Sequence, residues 1–494
     1  MGLKTLLIDK IDKIPTTSKN LHVVIVGAGI AGLCAAYELE KRGHTITILE
    51  ADPNHIGGRV RTLRFDNGLY GELGAMRIPQ KHELTLHYVN KFGLPLRKFV
   101  DRNPDAYYYI RGHKERRKNA TKLNQYFKLT GWEKTATPND LWQKAIGEIL
   151  SALSTKEQAD LFALGKTTQD IDRLSMHQLC ERAGLSQEAI AFLAITQGIE
   201  TLMPNAATEH LREAIQELFS NQFYEIVGGF DLFPTAFVKR LRSKPVLGCE
   251  VVRLEQDPIN KCASAIYRYK GKLKKAEGDF VLCTLPFSVL NRLEINPAFS
   301  ALKQRAIQEL KYQPATKILA ITKKRFWEID DKIFGGGTFT DLPTGMTYYP
   351  SDNAQAKNPL VSHSPSVMLA SYTWGEVALQ LDQLDPEKQK NCVIKNLSHL
   401  HPQITQLDML QKITNWSWNN HEWSKGAFAF YLPSQHSDLY EAIIAPEGRI
   451  YFAGEHASLK HSWMQGALES ALQAVQEMLI LARSVNDCQG IYTL

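Results

Sequence analysis

The chain has 494 residues, 44% apolar and 22% charged, a balance that supports a large buried core and excludes disordered, collagen-like and filamentous proteins. At about 150 residues per domain, the length gives roughly three domains or lobes. Basic residues exceed acidic ones by 58 − 52 = 6, too small an excess to indicate nucleic-acid binding.

Residues 1–20, with Pro15 and a Thr-Thr-Ser run, read as an N-terminal arm. The apolar run LLI is too short for a signal-peptide core, and no segment reaches 18 uninterrupted apolar residues, so a cytoplasmic location without a membrane partner is expected. From Leu21, LHVVIVGAGIAGLCAAYELEKRGHTITILE reads as a strand (Val23 to Val26), a glycine turn, an apolar-faced helix and a second strand (Thr45 to Leu49). Residues 113–220 carry apolar residues at three- and four-residue steps, as in DLWQKAIGEILSAL, and read as a helical lobe.

From Pro245 to Leu285 the period returns to two around a KGK turn, which predicts a hairpin. KILAITKKRFW, MTYYP, SVMLASYTW and GAFAFYLP follow as strand candidates. After RIYFAGE comes a terminal helix with its buried stripe on Met464, Leu468, Ala471, Val475 and Met478. The seven cysteines form no CxxC or Cys/His ligand spacing, so neither a metal site nor a disulfide framework is indicated. The basic runs Arg111 to Lys118 and Lys270 to Lys275 read as solvated turns and not as nucleic-acid contacts.

Gly27, Gly29 and Gly32 form G-x-G-x-x-G between a strand and a helix, where the backbone approaches a pyrophosphate whose charge the helix N-terminus stabilises. Glu50 closes the second strand, in the place of an acid that accepts hydrogen bonds from an adenosine ribose diol. Nicotinamide and flavin cofactors share this fingerprint. HIGGRVRT (His55 to Thr62) and YFAGEHASLKHSWMQGALES add two further glycine-bearing segments. With these in place the sequence resembles the flavin-containing amine oxidases, specifically the L-amino acid oxidases, from about Leu21 to Leu481.

The resemblance implies FAD held by Gly27, Gly29, Gly32, Glu50, Gly58 and Arg59, by Gly74, Ala75 and Met76, by Val251 at the adenine, and by Gly454 and Glu455. No cysteine follows Glu455 in HASLKHSW, so non-covalent FAD is expected. Arginine grips a carboxylate through two parallel charge-assisted hydrogen bonds. Arg77, in an MRIP element that matches the family's, is accordingly assigned the substrate carboxylate. Tyr372 matches a second carboxylate contact. Lys317, anomalous in an apolar strand, matches a lysine that reaches the flavin through water. Trp463 is one wall of the substrate cage, and the Ser462 carbonyl, where some relatives have glycine, accepts the substrate amine. His456 and His461 are nearby proton carriers that hydride transfer does not require.

The expected fold is α/β. It comprises a Rossmann-like FAD-binding domain (21–80, 245–300, 440–485), a sheet-based substrate domain (81–112, 221–244, 301–439) and the helical lobe. The implied activity is oxidative deamination of an L-amino acid by dioxygen, with amino-acid monooxygenation or flavin binding without turnover as alternatives; a homodimer is left open. Ala427, Phe428 and Trp463 favour bulky apolar substrates, unless an acid such as Glu200, Glu422 or Asp341 ends the pocket and selects basic ones.

Overall fold

The computed structural model describes residues 11–13, 20–163, 166–219 and 222–489. Its first sheet is built from the expected strand-helix-strand unit: His22–Val26 pairs in parallel with Thr45–Leu49 on one side and Phe280–Cys283 on the other, and Ile450–Phe452 adds the fourth parallel strand. Strand alternation divides the β-branched run between two cores. Val23 and Ile25 face the helix Ile30–Lys41 and the terminal helix Met464–Gln489, while Val24 and Val26 face a second sheet. That sheet is the predicted hairpin, Cys262–Tyr269 and Lys272–Gly278, extended by Glu250–Asp257 and Glu294–Asn296. Lys270 (φ 49°) and Gly271 (φ 75°) make its two-residue turn. Leu468, Ala471, Val475 and Met478 of the terminal helix are buried and Met464 is partly buried.

The other large sheet has seven strands in the order Leu410–Ser417, Ala315–Thr322, Ser366–Trp374, Met346–Tyr349, Gly336–Thr340, Tyr107–Ile110 and His113–Arg116. Ala315–Thr322 is buried at all eight positions because it is flanked on both sides and covered on both faces. A small antiparallel sheet is formed by Ile78–Pro79, Phe223–Ile226 and Leu96–Phe99.

Three expectations need correction. The segment 113–220 is not helical from its start: His113–Arg116 is an edge strand paired with Tyr107–Ile110, and its charged residues disguise it because an edge strand faces water. The basic run there is only partly solvated. Arg111 pairs with Glu188, Arg116 donates to the Asp105 carbonyl and Arg117 to the Gly337 carbonyl. In KILAITKKRFW the strand ends at Thr322, and Phe326–Ile329 forms a helical turn whose Phe326 and Trp327 are buried. Of the N-terminal arm only residues 11–13 and 20 are described; Ile11 is buried and Asp12 pairs with Arg42.

Candidate active site

A cavity of about 1000 Å³ runs from the glycine turn into the space between the seven-stranded sheet and the helices. At its first end Gly27 turns the chain with φ 106°, a conformation that a side chain resists, and Gly29 caps the helix Ile30–Lys41 without any side-chain hydrogen bond. The amides of that helix's first turn are therefore left for a ligand. Glu50 is buried; the Ala28 N–H donates to its Oε2 at 2.7 Å and the Asp52 N–H to its Oε1 at 2.9 Å, while burial pushes its carboxyl above the usual carboxylate range. Gly57 donates its N–H to the Ala28 carbonyl, which draws the HIGGR segment, with Gly58, against the turn. Val251 lines the same end.

Further in, Arg59 Nη1 donates to Glu455 Oε1 at 2.7 Å and to the Ala427 carbonyl at 3.1 Å. Glu455 also accepts the Ser462 N–H at 2.8 Å and the Ala429 N–H at 3.0 Å. Burial opposes its charge, but Arg59, foremost among its neighbours, holds its carboxyl below the usual range. One buried carboxylate thus ties together segments from three distant stretches of chain.

Lys317 is 1% exposed; its Nζ donates to the Gly74 carbonyl at 2.6 Å and the Glu72 carbonyl at 3.3 Å, beside Met76 Sδ at 3.3 Å. Burial pushes its ammonium down to about 7, against the pull of Glu72, whose own carboxyl burial pushes up to about 8. Register places Tyr372 directly opposite Lys317, with Nζ 4.7 Å from the ring centroid. Tyr372 stands edge-on to Trp374, which stands edge-on to Phe428.

Arg77 sits in an aromatic cage, its guanidinium carbon 5.3 Å from the ring centroids of Phe219 and Phe223, 5.8 Å from Tyr348 and 6.0 Å from Trp463. Its Nη1 donates to Asp101 and, at 3.2 Å, to the Tyr348 hydroxyl, whereas Nε and Nη2 have no hydrogen bond to a described residue. Burial works against its charge, but Asp101 and Tyr348 keep it protonated. Trp463 Nε1 donates to Glu213 at 2.9 Å, and its ring stacks on Phe223. Ser462 has φ 68°, the left-handed conformation that glycine adopts at no steric cost, so the serine keeps the turn that glycine would make.

Thus the cavity wall brings together Gly27, Gly29, Glu50, Gly58, Arg59, Gly74, Ala75, Met76, Arg77, Val251, Lys317, Tyr372, Ala427, Phe428, Gly454, Glu455, Ser462 and Trp463; Gly32 packs behind it under Gly27. Of the three acids considered for the pocket end, Glu200 and Asp341 do not line the cavity, because Glu200 lies off its wall beside Asp341. Glu422 does line it, but its carbonyl faces Arg292 and its neighbour His421 faces Asp52, which places it by Glu50. His456 is buried with neither ring nitrogen bonded to a described residue, and is pushed down to about 3 by burial, which leaves it neutral. His461 faces Glu209 at 3.2 Å; burial opposes its charge, but Glu209 prevails and raises it above the usual value.

Sequence reasoning missed Asp101, Tyr348, Glu213, Phe219 and Phe223. The signal available for Glu213 was its place in EHLRE beside Arg212, on the polar face of an amphipathic helix. The open, uncapped helix end, the acid closing the second strand and the depth of the cavity beyond fit an extended dinucleotide cofactor.

Residues 30–479 match the family profile of flavin containing amine oxidoreductases. The Bacillus subtilis (strain 168) protein YobN, provisionally named an L-amino-acid oxidase, is 35% identical over 471 residues, covering 92% of this chain and 94% of its own. The L-amino-acid oxidase of Siganus canaliculatus is 32% identical over 486 residues, with 97% and 89% covered. Among solved structures, putrescine oxidase with bound putrescine superposes with a TM-score of 0.72 at 17% identity, covering 94% of this chain and 99% of that one. Cyclohexylamine oxidase from Brevibacterium oxydans IH-35A gives the same score and identity, with 95% and 100% covered. At these identities the two superpositions show that the fold described above is shared with these oxidases. Since the profile match begins in the glycine-headed helix and ends in the terminal one, the chain belongs to the flavin-containing amine oxidoreductases, and flavin is its cofactor.

Proposed function

We propose that this enzyme is an FAD-dependent L-amino acid oxidase, which converts an L-amino acid to the 2-oxo acid with release of ammonia and hydrogen peroxide. The observation that carries the reading is Arg77: a caged guanidinium in the cavity wall, with Nε and Nη2 unbonded, is matched to a carboxylate, which a simple amine lacks. Relatives named L-amino-acid oxidases, including one from Pseudechis australis at 30% identity, support it. In this reading Gly27, Gly29 and Gly32 form the pyrophosphate turn, Glu50 takes the ribose and Val251 the adenine. Gly58, Arg59, Gly74, Ala75, Met76, Gly454 and Glu455 line the remainder. A flavin held by these residues would supply a hydride acceptor and a route for electrons to dioxygen.

Arg77 and Tyr372 fix the α-carboxylate, the Ser462 carbonyl accepts from the amine, and Ala427 and Trp463 bound the side chain. Lys317, poised near neutrality by burial, holds a proton at Nζ within the wall that carries Gly74 and Met76. Anaerobic addition of L-amino acids is expected to bleach the flavin, and in air peroxide and ammonia should form in equal amounts. Carbon dioxide and an amide would indicate monooxygenation, and an unbleached flavin would mean binding without turnover.

Cys249, the cysteine found in the cavity wall among the described residues, lies beside Glu50 with its N–H on the Glu50 carbonyl, away from Lys317 and Trp463. FAD is therefore expected to be non-covalent and released by acid precipitation; a chromophore that stays with the pellet, or proves to be FMN, rejects this. Lys317→Met is expected to slow flavin reoxidation by dioxygen more than flavin reduction in stopped-flow traces. A defect confined to reduction would make Lys317 a substrate or structural residue instead.

A further inference from the structure

Among the described residues, the acidic side chains that line the substrate half of the cavity are answered by a cation with one exception. Asp101 is joined to Arg77, Glu455 to Arg59, and Glu217 faces Lys81 at 3.5 Å. Glu209 takes His461 Nδ1 at 3.2 Å and Arg212 Nη1 at 3.3 Å. Glu213 differs: one oxygen accepts the Trp463 Nε1–H at 2.9 Å, and no lysine, arginine or histidine nitrogen among the described residues lies within 4.0 Å of its carboxylate. It projects into the cavity wall from the helix Ala207–Ile215. The indole it bonds also belongs to the cage around Arg77, so the carboxylate and the guanidinium flank the same ring system and feel each other's charge.

We propose that Glu213 is the specificity-determining residue of this enzyme: it pairs with a cationic side chain and selects L-amino acids that end in an ammonium or guanidinium group. The inference rests on the oxidase reading above. A desolvated carboxylate without a counter-ion is unfavourable and must either take a proton or acquire a cation. Burial pushes Glu213 up to about 7; the Trp463 hydrogen bond and Arg77 oppose this and Glu209 adds to it. A substrate bound through its carboxylate at Arg77 brings the missing cation if its side chain is basic. An apolar side chain leaves Glu213 unanswered, and an acidic one is repelled. Arg102, a cation in the same wall, is 45% exposed, bonded to Gln197 at 2.7 Å and 4.0 Å from Asp101. Glu213 replaces the apolar preference expected from Ala427, Phe428 and Trp463, whose rings and methyl then pack the aliphatic stem.

The test compares L-lysine, L-norleucine and L-glutamate on the flavin-loaded enzyme and on Glu213→Gln, which keeps an acceptor for Trp463 but no charge. Unchanged flavin content and melting temperature serve as the folding control. The enzyme is expected to prefer lysine over norleucine by more than about tenfold in kcat/KM. Glu213→Gln should cost lysine about 30-fold or more while norleucine changes less than about threefold. Equal losses on both substrates, or a wild-type preference for norleucine or glutamate, would overturn the proposal. Absence of turnover on every amino acid retires the oxidase reading instead. Thermal shifts with 6-aminohexanoate and hexanoate then decide the Glu213 pair alone: stronger stabilisation by 6-aminohexanoate, lost in Glu213→Gln, supports it, and equal shifts reject it.

Discussion

Arg77→Ala is expected to lower kcat/KM for L-amino acids by about 30- to 5000-fold, the loss that follows from removing one partner of a buried charge pair at about 2–5 kcal/mol, while flavin content is retained. The same change strands Asp101, which is 8% exposed, from its close partner and leaves it Arg102 at 4.0 Å, so stability should fall as well. A second substitution separates the two effects. In Arg77→Ala/Asp101→Asn the stranded charge is gone, and the melting temperature should recover towards the parent value while kcat/KM stays low. Recovery of activity in the double variant would show that Arg77 serves the fold rather than the substrate. In the parent enzyme an amino acid should far outrun its decarboxylated amine; equal rates would remove the carboxylate assignment.

The second large effect contrasts two glycines of one turn. At Gly32 an added Cβ would lie 2.1 Å from the Gly27 carbonyl oxygen, a backbone atom that cannot move aside, and 3.1 Å from Ile25 Cγ2. Gly32→Ala is expected to destabilise by more than the roughly 1–3 kcal/mol of ordinary overpacking, and to lose the flavin with it. At Gly29, φ is −73° and nothing lies within 4 Å of a Cβ. Gly29→Ala should therefore keep the melting temperature within about 2 °C, yet bind flavin at least about tenfold more weakly, because the methyl occupies space left for the ligand at the helix end. Flavin absorbance after gel filtration and a thermal melt measure both. A Gly29→Ala protein that retains full flavin would show that the turn holds something else.

The cofactor end was readable because its requirements are local: a strand, a turn that needs glycine and an acid one strand later all fall within Leu21 to Glu50. The substrate end was readable only in part. Lys317 stood out because a charge in a largely apolar strand is costly once the strand is buried. Asp101 carried no such mark, since its partner is 24 residues away across a strand and a loop. Glu213 went unnoticed for a different reason. An amphipathic pattern shows which residues share a helix face but not whether that face meets bulk water or an enclosed cavity, and here Glu209 and Glu213 turn inward. The strand His113–Arg116 was hidden likewise, because the residues of an edge strand are those of a loop.

The Arg59–Glu455 bond spans 396 residues, and the sheet beneath it takes its fourth strand from Ile450–Phe452, more than 400 residues after its first. A ribosome delivers the glycine turn early and the residues that close the pocket around it late. Throughout synthesis the first strand-helix-strand unit waits with a half-built sheet, and the flavin has no complete seat until Glu455 has emerged and docked. Flavin retention thus depends on the Ile450–Glu455 segment as much as on the glycine turn, and a chain cut before Ile450 is expected to stay colourless.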